Sequence, residues 1–259
     1  MTAAPRPGRV AAMRFLFRRA PEPDPTHLSV EAAGRRIPVL LRRRPDAKRM
    51  TLRVAAATGE VALTVPPRIA LDSARRFLEA HAGWITVRLA RAPARVPLQP
   101  GSVLPLRGVE HRIVHAGPTR AATRAGLDAD GAPVVAVSGD LDGIPGRVRR
   151  FLAAEATADL REAVGRHAGR LGAPITRLTV RDTRSRWGSC SSAGALSFSW
   201  RLILAPPFVL DYLAAHEVAH LKELNHSERF WRLVHELCPR TDEAEGWLKR
   251  NGSGLHRYG

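Results

Sequence analysis

The chain has 259 residues, 44% hydrophobic and 25% charged, with 41 Lys and Arg against 24 Asp and Glu, a formal net charge of +17. That composition suits a globular core and excludes a disordered chain, and no apolar run reaches the roughly 18 residues of a membrane-spanning helix. Two cysteines, Cys190 and Cys238, form neither a disulfide framework nor a CxxC metal clamp, so a reducing, cytoplasmic compartment is expected.

The excess charge is nearly all arginine, spread along the chain in an alanine-rich background. A dedicated single-strand binder would cluster its cations and interleave aromatic residues. Non-specific nucleic-acid binding therefore stands as an alternative partner, and sequence-specific readout is not expected. Residues 1–26 read as a basic, proline-rich, disordered tail; Arg14 interrupts the one apolar stretch in it, and no cleavage pattern follows.

Residues 27–145 read as a β-rich region. Two strands in "HLSVEAAGRRIPVLLRRR" meet at Ala33-Gly34, and "RMTLRVAAATGEVALTVPP" forms a hairpin turning near Gly59. One amphipathic helix follows in "ALDSARRFLEAHAGWITVRLARAP", capped by Asp72 or Ser73 and stopped by Pro93. More strands lie in "GSVLPLRGVEHRIVHAG" and "APVVAVSGD", and no internal repeat is visible.

Residues 146–259 read as a second domain. A long helix stops at Gly172, and strands "ITRLTVRD" and "ALSFSWRLI" flank a turn-rich "TRSRWGSCSSAG". The helix "PPFVLDYLAAHEVAHLKEL" follows, then helices "SERFWRLVHELCP" and "TDEAEGWLKRNG", the last stopped at Asn251-Gly252. The fold class expected is α+β, with the β-rich region first and a helix-bearing site after it.

His216 and His220 are four apart on a helix, so both rings leave one face and suit one tetrahedral zinc per chain. Glu217 points about 100° away, too far round to join the tetrahedron but placed to act as a general base. A catalytic zinc takes three protein ligands and keeps the fourth position open. His226 supplies the third only if the helix ends first, with Asn225 as a left-handed cap and Ser227 capping the next helix. Glu243 or Glu245 is the alternative third ligand. A closed structural site would instead add Glu223, Glu228 or His235.

The run "RSRWGSCSSAGALSFSWRLILAPPFVLDYLAAHEVAHLKELNHSERFWRLVHELCP" resembles the YgjP-like metal-dependent hydrolases, a branch of the zincin metallopeptidases. A weaker likeness runs upstream through "LTVPP" and "HAGWI", and a distant one links the last hundred or so residues to SprT-type and WLM-type proteases. The resemblance implies a small zincin-like catalytic domain, His216, His220 and His226 as ligands, Glu217 as catalytic residue, and a peptide or protein substrate. It also implies that "ALSFSWRLI" is an edge strand on which an extended substrate pairs. A non-peptide amide or ester hydrolase, and a DNA-associated protease or nucleic-acid-binding protein with a zinc scaffold, are the alternatives.

Other residues carry two readings each. Arg184, Arg186 and Trp187 either hold a substrate carbonyl, carboxylate or oxyanion, or Trp187 and Gly188 build a tight packed corner and the arginines are solvated. Tyr212, one turn before His216, either touches substrate or supports a ligand from behind. Asp211 orients a ligand histidine or answers the helix dipole. Ser189 and Cys190 have no evident base and read as structural. Phe230 and Trp231 pin the helix after His226.

Overall fold

The computed structural model describes residues 26–55, 59–90, 94–183 and 186–259. The expected tail up to residue 25, the Pro93 stop and Arg184 lie outside them. The fold is α+β, with β-rich sheets first and helices after.

β1 (His27–Ala32) and β2 (Arg35–Arg43) form the first hairpin, turning at Ala33 and Gly34, whose φ values of 52° and 69° are those of a tight primed turn. β3 (Thr51–Val54) and β4 (Val61–Val65) form the second. β2 and β4 then join in parallel, which gives the order β1-β2-β4-β3 and leaves β3 at an edge. Alternate residues Leu28, Val30, Val61, Leu63 and Val65 turn inward and meet the helical layer above.

That layer is two helices where the sequence suggests one. α1 (Leu71–Ala80) and α2 (Ala82–Ala90) part at His81, which has φ −108° and ψ 10°. Its Nδ1 bonds the carbonyl of Phe77 at 2.8 Å and its ring stacks on Phe77 at 4.2 Å. A side chain committed to the preceding turn competes with continuation of the helix. Nor do Asp72 and Ser73 cap α1: Ala70 holds that position, with no side-chain cap.

The second sheet, β5 (Val103–Leu106), β6 (Val109–His115), β7 (Arg124–Leu127) and β8 (Pro133–Val137), has the order β5-β6-β8-β7. Its pairings run antiparallel, parallel, antiparallel, as in the first sheet. The β-rich region thus holds a topological repeat that its sequence does not display. β7 escapes sequence reading because all four residues are exposed and show no alternation.

α3 (Ile144–Leu171) ends on Gly172 at φ 60°, as expected. Its buried residues Ile144, Val148, Leu152, Ala156, Leu160, Val164 and Ala168 recur every fourth position. Each such step overshoots a full turn by about 40°, so the stripe winds around the helix. Residues to Ala156 therefore face the second sheet, and those from Leu160 onward face the core around the later helices.

β9 (Arg177–Arg181), β10 (Gly188–Cys190) and β11 (Ala195–Ser199) make the third sheet, ordered β10-β11-β9. Two expectations are corrected here. β11 is the central strand, and β10, hidden in the turn-rich segment, is an edge. β11 also stops at Ser199, whose hydroxyl accepts from the Arg201 amide, and Trp200–Leu204 form a 3-10 turn. The helices α4 (Pro207–Ala219), α5 (Glu228–Leu237) and α6 (Thr241–Leu255) complete the chain. α6 passes through Gly252, where the lack of a side chain lets the Trp187 ring approach; a Cβ there would sit 3.4 Å from it. Among the described residues no helix is long and apolar enough to cross a membrane.

α3 and α4 are tied by Asp211, which accepts from His167 Nε2 and an Arg166 guanidinium nitrogen at 2.8 Å each. It bonds none of His216, His220 and His226. Burial opposes its charge, but His167 and Arg166 outweigh burial and hold the carboxylate below its usual range. A lowered folded pKa contributes stability that is complete above the free carboxylate pKa and fades as pH falls through the folded value. Asp211→Asn is expected to lose roughly 1 kcal/mol near neutral pH. The gap from wild type should narrow below about pH 4, read by denaturant melts across pH.

Candidate metal centre

α4 is buried nearly all round, with Val209, Leu210, Leu213, Ala214, Ala215, Val218 and Ala219 in the core. Its chemistry sits in its last turn. His216 lies inside the helix and His220 is the C-terminal cap, so α4 ends about a turn before the sequence suggests. Asn225 is not left-handed; the exit is made at His220, whose Nδ1 donates to the Glu223 carbonyl at 3.0 Å. The chain then turns back, and Ser227 caps α5 as expected, its hydroxyl accepting from Phe230 N. His226, just before that cap, is carried back over α4.

The three imidazoles converge. One nitrogen from each of His216, His220 and His226 lies within 4.8 Å of the others, and the Nε2 atoms of His216 and His226 are 3.2 Å apart. Ligands about 2.05 Å from a tetrahedral zinc stand about 3.3 Å from each other, so this donor set fits that ion. Among the described residues no fourth His, Cys, Asp or Glu joins the group. Glu243 is paired with Arg240 at 2.7 Å, and Glu245 accepts from the Tyr212 hydroxyl at 3.0 Å.

The rings are held from behind. Tyr212 is buried, and with its proton on Glu245 its oxygen can accept from His216 Nδ1 at 3.4 Å. That arrangement and the His220–Glu223 bond both leave Nε2 lone pairs directed at the shared space. Tyr212 therefore stands behind a histidine, away from any open surface. Phe230, fully buried, stacks on His220 at 4.4 Å and meets His216 and His226 edge-on. Burial, then the charges of His220 and His226, push His216 down to about 4, and burial lowers His220 too. Both rings are thus neutral at neutral pH, the form that binds metal.

Glu217 is 5% exposed, and burial pushes its carboxyl up to about 7 against the opposing charge of Arg186. It lies directly over the edge strand. A Cβ built on Gly188 would be 2.4 Å from Oε1, 2.7 Å from Cγ and 2.8 Å from Cδ of Glu217. Sequence reading offered this glycine only as half of a packed corner with Trp187 and missed that it makes room for the carboxylate. Cys190 faces the same way, its thiol pushed up by burial and by Glu217. Among the described residues no base bonds Ser189 or Cys190. Trp187 stacks on His256 at 4.8 Å and covers Gly252, so it clamps the start of β10 to α6.

A family model described as "YgjP-like, metallopeptidase domain" matches residues 48–251. Among solved structures, the metallopeptidase zymogen of Pyrococcus abyssi abylysin is 21% identical, with a TM-score of 0.33, over 35% of this chain and 93% of that one. No curated protein matches the chain.

The geometry predicts about one Zn²⁺ per chain after equilibration with zinc. Elemental analysis of His226→Ala should show most of that zinc lost, whereas Glu243→Ala should keep it. Full retention by His226→Ala would remove His226 from the ligand set.

Proposed function

The chain belongs to the YgjP-like metallopeptidase family, and from that premise we propose that it hydrolyses peptide bonds with one zinc held by His216, His220 and His226. The observation that carries this reading is the convergence of three histidine nitrogens on one space, with Glu217 next in the chain to His216 and its carboxylate packed over Gly188. A zinc ion held there would supply Lewis acidity toward water and the scissile carbonyl.

The chain's own residues do the rest. Glu217 accepts the proton of the attacking water and returns it to the leaving amine. Tyr212 and Glu223 keep the ligand rings turned, and Phe230 keeps them from rotating. β10 offers an extended substrate an outer edge that runs past Glu217, so backbone pairing there brings a peptide carbonyl toward the carboxylate. Arg186, exposed beside Glu217, is placed to receive a substrate carbonyl or carboxylate. The open edge favours peptide over small amide or ester substrates, because only a peptide backbone can pair with it.

Glu217→Gln should keep its zinc and lose at least about a hundredfold in kcat/KM on quenched-fluorescent peptides. Undiminished turnover in that variant would defeat the assignment. Gly188→Ala should also keep its zinc and melt close to wild type, while kcat falls about tenfold or more as the new methyl displaces Glu217. An unchanged kcat there would show that the carboxylate needs no such space.

A further inference from the structure

The first sheet ends on an edge that nothing among the described residues covers. Ala55 N donates to Glu60 O at 2.9 Å, which makes that pair hydrogen-bonded. Alternation along an antiparallel ladder then makes Arg53–Ala62 and Thr51–Thr64 bonded pairs and turns the N–H and C=O of Leu52 and Val54 outward. Among the described residues no backbone group pairs with them.

Beside this edge, between β3 and the α1–α2 break, lies a cavity of about 300 Å³ lined chiefly by Arg49, Met50, Leu52, Phe77, His81 and Trp84. Its aromatic wall is fixed, since His81 is stacked on Phe77 and bonded to its carbonyl. Trp84 is 41% exposed, and Val87 one turn on is 52% exposed, so the apolar face continues along α2. Arg88 lies over the Trp84 ring at 5.4 Å. Arg49, Arg53 and Arg88 are exposed and have no ion-pair partner among the described residues, and no acidic side chain lines the cavity.

We propose that this groove binds an extended acidic peptide, which adds to the first sheet alongside β3. An apolar side chain of the peptide fills the Phe77–His81–Trp84 cavity on the Leu52 face, and the carboxylates flanking it in sequence point to the other face, beside Arg53. The open amides and carbonyls of Leu52 and Val54 require a peptide backbone, which a nucleic acid lacks. The unpaired cations select an acidic strand and repel a second copy of a chain with net charge +17. The groove is independent of the metal centre, for the core beneath it shares no buried residue with the core around α4.

The test is fluorescence anisotropy on the full chain with a short labelled peptide alternating glutamate with phenylalanine and valine. Its lysine counterpart and a single-stranded oligonucleotide serve as competitors. The glutamate peptide should bind at least about tenfold tighter than the lysine peptide. Trp84→Ala and Arg53→Glu should each weaken it by about tenfold or more. Val54→Pro, which removes an outward N–H at a position where an edge strand tolerates proline, should weaken it while preserving the melting temperature. Absent binding, binding indifferent to Trp84→Ala and Val54→Pro, or tighter binding of the oligonucleotide at the same groove would overturn the proposal.

Discussion

The end of α4 at His220 is the constraint on which the site depends. Two histidines four apart bring two rings to one side of a helix, but a third histidine six residues later would lie well around the cylinder if the helix continued. The chain must leave the helix immediately after the second histidine. It does so with the His220 ring itself donating to the Glu223 carbonyl, so one side chain both ends the helix and fixes the direction of its own Nε2. Ser227 then restarts a helix at once, and His226 is trapped between the two.

Support for that turn comes from the cores on either side. Phe230, Tyr212 and the buried flank of α4 belong to one cluster with the second half of α3 and β11. The winding stripe of α3 joins that cluster to the second sheet, and Trp187 packs against both. Glu217 gains its place by subtraction: the glycine at 188 lets an edge strand run beneath a carboxylate with no side chain between them. Replacing bulk with an absence at that point puts a strand edge and an ionisable group within reach of one ligand.

The β-rich region repeats one strand order twice. In each unit a parallel pair in the middle joins two hairpins, and the outer strands remain as edges. The first unit carries two short helices with an aromatic seam between them, where His81 breaks the helix. The second lends its inner face to α3. The same architecture thus supports the half that carries the three histidines in one case and leaves a groove facing solvent in the other.

Much was legible in the sequence by itself. Spacing alone placed His216, Glu217 and His220 on one helix, the rotation argument required a turn before His226, and Ser227 announced the helix after it. The αL stop at Gly172 and both first hairpins also followed from local rules, because a turn residue or a four-residue period acts within a few positions of itself. Other features were decided only by tertiary structure. β10 is too short and β7 too exposed to give a period, so which strand forms the edge beside Glu217 depended on pairing across the sheet. The roles of Tyr212, Gly188 and Trp187 depend on Glu245, Glu217 and His256, partners distant in sequence whose proximity no local pattern encodes. The sequence by itself determined the chemistry available to the site; packing decided which groups face one another, because contact across sheets and helices is a property of the folded chain.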